Sequence, residues 1–275
     1  MRTVIVTGAS RGLGRSMALA LAEGGMYVVA AGHLPEDAQA LKDHAKQRGV
    51  DDRLDFFLAD IRLSKDCDEL VNFAKSRHGQ VDALINNAGL TLTFLAPDLY
   101  RRDTPRRFFE SSDEGIRGIY ETNCIAAEMM ACRVAPGMIA QGWGRIVNVT
   151  TMYATMKRPG FCPYGASKAA LEMSTMVWAE ELKDTGVTVN VLNPGGGANT
   201  PGIATEMREA SARGEVPKLV EPDAMERPIC WLLSNASNGV TGMRFDAKSW
   251  NSALPADDAA RSNAHPAGLQ LLVGA

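Results

Sequence analysis

Short apolar runs recur along this chain, and longer stretches with helical periodicity separate them. The runs fall at Thr3–Thr7, Tyr27–Ala31, Leu54–Ala59, Ala83–Asn86, Arg145–Thr150 and Thr188–Leu192. The helical patterns occupy Leu13–Glu23, Glu36–Arg48, Lys65–Arg77, Ile119–Ala140 and Gly165–Lys183. Strands that alternate with helices of this length predict a parallel sheet covered on both faces. The expected fold is a single doubly wound, Rossmann-like α/β domain. No repeat or Pro/Gly/Ser-rich linker divides the chain, so 1–250 reads as one domain. The remainder, 251–275, is rich in Ala, Asp and Pro. It reads as a loosely packed tail, or as an arm that docks on a neighbouring subunit through Leu269–Val273.

Composition narrows the classes. A chain of 275 residues can bury a substantial core. Its formal charge of −3 argues against non-specific nucleic-acid binding through a basic face. No run approaches the ~18 apolar residues needed to cross a bilayer. The first strand is expected to begin at Thr3, so no leader segment is expected. The five cysteines (Cys67, Cys124, Cys132, Cys162, Cys230) are scattered without metal-ligand spacing. Reduced thiols, no bound metal and a cytoplasmic location are the corresponding expectations.

Candidate chemistry begins at Thr7-Gly8-Ala9-Ser10-Arg11-Gly12-Leu13-Gly14, where a buried strand runs through a glycine turn into a helix. Such a turn brings backbone N–H groups and the positive end of a helix toward a pyrophosphate. The spacing is G-x-x-x-G-x-G rather than G-x-G-x-x-G. Further along, Tyr164 and Lys168 are one helical turn apart and project from the same face. A tyrosine with a pKa of about 10 is a poor base at neutral pH. A neighbouring ammonium favours the phenolate and makes proton transfer to a substrate oxygen feasible. Thr151 ends a strand and offers a hydroxyl to the same oxygen. Asn86-Asn87-Ala88-Gly89 and Asn193-Pro194-Gly195 end two other strands, and Asn123 lies in the helix that follows the first of these. In a doubly wound sheet the carboxyl ends of the strands line one crevice.

These motifs together resemble the short-chain dehydrogenase/reductase family, from about residue 3 to residue 246. Asp60, the strand Gly144–Thr151 and Val240-Thr241-Gly242 also match. The resemblance implies a hydride transfer between a nicotinamide cofactor and a carbonyl or secondary alcohol. Tyr164 would be the general acid or base, and Lys168 would hold the nicotinamide ribose and lower the Tyr164 pKa. Asn123 would order a water, and Thr151 would stand where the family usually has serine. Gly8, Ser10, Arg11, Gly12, Leu13 and Gly14 would surround the pyrophosphate. Asp60, with Ile61 beside it, would meet the adenine ring. Asn87, Ala88 and Gly89 would pack along the adenosine half, and Pro194, Gly195 and Gly197 would flank the nicotinamide. The family likeness further implies a homo-oligomer, tetramer or dimer, with the helices Ile119–Ala140 and Gly165–Lys183 as contact surfaces. A non-catalytic dinucleotide-binding regulator or scaffold is the alternative reading.

Two further expectations concern specificity. The second strand ends Ala30-Ala31-Gly32-His33, without the carboxylate that would accept a ribose 2′-OH. Glu36 and Asp37 belong to the following helix. Arg11, with help from His33, is placed to meet a 2′-phosphate, so NADP(H) is favoured and NAD(H) is the second choice. The segment Leu90–Ser112 is long and carries Arg101, Arg102, Arg106 and Arg107. It reads either as a solvated surface excursion or as a lid that offers an arginine to an anionic substrate.

Overall fold

Each of the six apolar runs is a strand in the computed structural model, which describes residues 1–98 and 101–268. The strands are β1 (Thr3–Thr7), β2 (Tyr27–Gly32), β3 (Leu54–Leu58), β4 (Ala83–Asn86), β5 (Gly144–Val149) and β6 (Val187–Asn193). Two more complete the sheet, β7 (Met243–Asp246) and the two-residue β8 (His265–Pro266). The spatial order is β3-β2-β1-β4-β5-β6-β7-β8. Every pairing is parallel except that of β7 with β8. The order reverses between β1 and β4, and a crevice opens at such a switch point.

The alternation of side chains along each strand divides the core in two. Val4, Val6, Val28, Ala30, Val147 and Val149 face one side, where they meet α1 (Gly12–Glu23), α10 (Glu226–Leu232) and α11 (Ala256–Asn263). Ile5, Val29, Leu84, Ile146 and Val189 face the other side. There they meet α3 (Ser64–His78), α6 (Ala126–Gln141) and α8 (Tyr164–Glu181). The remaining helices are α2 (Asp37–Gln47), α4 (Leu92–Leu95), α5 (Asp113–Tyr120), α7 (Tyr153–Met156) and α9 (Thr205–Ala212). A π turn over Glu121–Ile125 joins α5 to α6, so the helix expected over Ile119–Ala140 starts earlier and contains a local widening. Widenings of this kind concentrate at functional sites.

Within the segment expected to be loose, α11 places Ala259 and Ala260 in the core at 0% and 1% exposure. The apolar stretch Leu269–Val273 lies outside the described residues. Among the described residues no helix is long and apolar enough to cross a membrane, and no group of three or more His, Cys, Asp or Glu is arranged to hold a metal ion.

Candidate active site at the carboxyl ends of the strands

Two loops flank the switch point and are bonded to each other. The Thr7 hydroxyl donates to Ile85 O and accepts from the amides of Asn87 (3.0 Å) and Ala88 (3.1 Å). The Asn87 side-chain amide donates to Thr7 O at 2.9 Å and Gly8 O at 3.0 Å. Gly8 has φ +63°, and a Cβ there would come within 2.8 Å of Ala88 Cα. Only glycine satisfies both the angle and the approach. Gly14 meets Gly8 across the turn, and an added Cβ would overlap Gly8 O and the Asn87 amide.

The start of α1 fits the phosphates of a dinucleotide. Arg11 is the capping residue but makes no side-chain cap bond, and the first turn carries no acid. No side-chain cap competes with an anion for the first-turn amides, and the helix dipole favours negative charge there. Thr200 adjoins the same turn, with its methyl 3.1 Å from where a Gly12 Cβ would be. The sequence reading did not single out Thr200, although it stands five residues after Gly195 in the loop that leaves β6.

Around the expected adenosine end, Gly32 has its Cβ position 3.0 Å from Ser10 Oγ, and His33 is exposed. Asp37, assigned to the next helix from sequence, folds back to this end. It accepts from Ser10 Oγ at 3.2 Å and faces Arg11 Nε at 3.7 Å. The Asp60 carboxylate is gripped by Arg62 at 2.9 and 2.6 Å, and those bonds hold its pKa below the usual carboxylate range. Ile61 is buried next to it.

Tyr164 opens α8, and Lys168 follows one turn later with 4% exposure. Lys168 Nζ donates to Val149 O at 2.9 Å, and burial lowers its pKa to about 8. Asn123, in the π turn, is 1% exposed and faces the same space. A Cβ on Gly89 would stand 3.1 Å from Asn123 Oδ1 and 3.3 Å from Lys168 Nζ, so the glycine leaves both groups open to one point. Asn123 accepts from Leu90 N (2.7 Å) and donates to Leu90 O (3.0 Å) and Ser167 Oγ (3.1 Å). Ser167 in turn donates to Tyr164 O at 2.7 Å. The amide of Asn123 thereby couples the end of β4 to the helix that carries Tyr164 and Lys168.

The structure separates the two threonines at the end of β5. The Thr150 hydroxyl donates to Glu172 Oε2 at 3.1 Å and accepts from Arg244 Nη1 at 3.3 Å. Thr151, 7% exposed, uses its main-chain oxygen to accept from Arg244 Nη2 at 2.8 Å. Gly195 N donates to Asn193 Oδ1, and Lys248 N donates to Pro194 O, which fixes the turn after β6. Gly197 is exposed beyond it.

The arginines of the 90–112 excursion are mostly engaged within the protein. Arg101 pairs with Glu206, and Arg102 with Asp98 and Glu110. Arg106 is 4% exposed, donates to Cys162 O at 2.9 Å and also bonds Ser111 Oγ. The excursion thus braces the segment before Tyr164, and Arg106 has no guanidinium to offer a substrate. It also grips the loop after β6, since Thr91 Oγ1 and Thr93 Oγ1 both donate to Gly202 O.

Comparison with known proteins identifies the family. The family model described as short chain dehydrogenase matches residues 2–214. The 3-oxoacyl-acyl-carrier-protein reductase FabG of Staphylococcus epidermidis is 35% identical over 196 residues, 70% of this chain and 74% of that protein. A short-chain type dehydrogenase/reductase of Picea abies is 34% identical, covering 70% of each chain. Nodulation protein G of Azospirillum brasilense is 31% identical over 88% of this chain and 94% of its own. A solved structure from Sinorhizobium meliloti 1021, assigned to the short-chain alcohol dehydrogenases, superposes with a TM-score of 0.76 at 27% identity, covering 90% of this chain and 94% of that one. With its strand-order reversal between β1 and β4 and its glycine turn, the chain belongs to the short-chain dehydrogenase/reductase family, nicotinamide-dependent oxidoreductases of CH–OH and C=O groups.

Proposed function

We propose that this enzyme interconverts a carbonyl and a secondary alcohol with Tyr164 as the proton-transferring residue and NADP(H) as the preferred coenzyme. The observation that carries the reading is the convergence of Lys168 Nζ and Asn123 Oδ1 on the gap left by Gly89, one helical turn from Tyr164. Bound nicotinamide coenzyme supplies or accepts the hydride. Gly8, Ser10, Gly12, Leu13, Gly14 and Thr200 would hold its phosphates. Asp60, Ile61, Asn87, Ala88 and Gly89 would hold the adenosine half, and Pro194, Gly195 and Gly197 the nicotinamide half.

In the reducing direction the Tyr164 phenol gives its proton to the substrate oxygen. The Lys168 ammonium stabilises the phenolate that remains, because a nearby cation favours the charged form. Thr151 shares the substrate oxygen and helps to orient it. Thr150 is not available for that part, since its hydroxyl is held by Glu172 and Arg244.

The coenzyme preference is supported by Gly32, which presents no carboxylate, and by Arg11, whose side chain is 45% exposed at the same end. Asp37 favours the opposite reading, since its carboxylate could accept from a ribose 2′-OH. The ratio of kcat/KM for NADPH and NADH decides between them. An NADH preference that disappears in Asp37→Asn would assign the enzyme to NAD.

Turnover of coenzyme with a panel of carbonyl compounds, 3-oxoacyl thioesters included, tests the main reading. Turnover abolished in Tyr164→Phe with coenzyme binding retained supports it. Binding without turnover of any carbonyl would favour a regulatory protein. The same family likeness leads us to propose a dimer or tetramer built on α6 and α8, whose flanks expose Ile125, Met173 and Val177. Light scattering measures the assembly.

A further inference from the structure

Glu172 continues the stripe of Tyr164 and Lys168 one turn further along α8 and is 0% exposed. Arg244 reaches it from β7 across β6, where it stands beside Val191, and is itself 3% exposed. Arg244 Nη1 donates to Glu172 Oε2 at 2.5 Å, and the second Glu172 oxygen accepts from Gly268 N at 3.2 Å. The guanidinium also lies 4.3 Å from the centre of the Tyr153 ring and 3.5 Å from an Asp246 oxygen.

Burying two charges carries a large desolvation cost, which a buried pair offsets only with good geometry and satisfied donors. Here the remaining donors do more than satisfy the pair. Arg244 Nη2 holds Thr151 O, Nη1 holds the Thr150 hydroxyl, and Lys168 holds Val149 O on the preceding residue. Three consecutive residues at the end of β5 are thus pinned to α8 and β7.

We propose that Arg244 and Glu172 are a positioning pair for the reaction, resting on the reading that Thr151 meets the substrate oxygen. Glu172 aims the guanidinium, and the guanidinium fixes the Thr151 backbone and thereby the direction of its hydroxyl. Neither residue touches substrate or coenzyme. The pairing links positions 72 residues apart and has no motif in the sequence.

The test separates positioning from packing. In Arg244→Met/Glu172→Met both charges are removed together and volume is kept, which commonly preserves stability. Its coenzyme affinity is expected to stay close to wild type, and its thermal midpoint to fall only by what the lost bonds to Thr151 O and Gly268 N cost, so that it remains folded under assay. Its kcat is expected to fall by about 10- to 100-fold, the loss that goes with a misplaced catalytic group. A double variant with wild-type kcat overturns the proposal, because restored packing would then suffice.

Arg244→Lys keeps the charge opposite Glu172 but lacks the second planar nitrogen that reaches Thr151 O. It is expected to fold, bind coenzyme and turn over slowly, and wild-type kcat there also overturns the proposal. Tyr164→Phe serves as the control. If it still turns over, the catalytic reading itself falls and the positioning pair with it. If it is inactive while both Arg244 variants match wild type, only the pair falls.

Discussion

Arg106 Nη1 donates to the carbonyl oxygen of Cys162 at 2.9 Å, two residues before Tyr164. A residue that the sequence leaves open between a solvated surface excursion and an anion-binding lid is a buried brace for the segment that leads into α8. Its second nitrogen reaches Ser111, so both ends of the contact lie inside the protein. No described carboxylate forms an ion pair with it.

Arg106→Met is therefore expected to lower the stability of the fold by about 2 kcal/mol, the usual range for a lost bond from a charged donor. Arg101→Ala removes only an exposed pair with Glu206 and is expected to change stability by less than about 1 kcal/mol. Urea denaturation of the two variants measures the contrast. Equal effects would mean that Arg106 is not a brace.

Gly14→Ala is expected to abolish tight coenzyme binding, because the new methyl group would collide with Gly8 O and the Asn87 amide. Overpacking of this kind costs about 1–3 kcal/mol, which the thermal midpoint would register. Gly49→Ala serves as a contrast, since a Cβ there meets nothing within 4 Å. It should leave coenzyme affinity unchanged, although its positive φ carries a strain of its own.

Lys168 gives a pH signature. The folded side chain loses its proton near pH 8, whereas an ordinary lysine holds its proton to 10.5. Between these values the unfolded chain binds more protons, so stability without coenzyme rises with pH through that window. Below pH 8 the full cost of burying the ammonium is present, on the order of 3 kcal/mol. Lys168→Met lacks this titration. The stability of wild type relative to Lys168→Met is therefore expected to improve between pH 7.5 and 10, and a difference flat in pH would sink the assignment.

Removing the phenol has a different profile. Tyr164→Phe is expected to reduce kcat by about 10²- to 10⁴-fold, the contribution of a positioned proton donor. Coenzyme affinity, followed by fluorescence titration, should hardly change. A loss confined to affinity would assign Tyr164 to binding instead.

How much the residues announced can be traced element by element. The first six strands were legible because apolar side chains occupy both faces, as burial between two helical layers demands. Strand β7 was not, since Met243-Arg244-Phe245-Asp246 alternates apolar and charged residues, and only the fold supplies Glu172 as the partner for Arg244. Helix α9 buries no residue, and α10 carries Pro228 near its start, so neither projected a clear amphipathic stripe. In the candidate site, motifs with fixed local spacing were readable, as with Tyr164 and Lys168. Contacts made by chain reversal were not. Asp37 came to Ser10 and Arg11 only through the turn after β2, and Arg106 came to Cys162 only through packing across 56 residues.

The two threonine hydroxyls on Gly202 O have a kinetic corollary. An outward swing of the run leaving β6 carries Gly202 O away from the Thr91 and Thr93 side chains that donate to it. Each opening must either break both tethers at once or drag the neighbouring stretch along. If the proposed nicotinamide half lies beside this run, product departure is expected to depend on both stretches of chain.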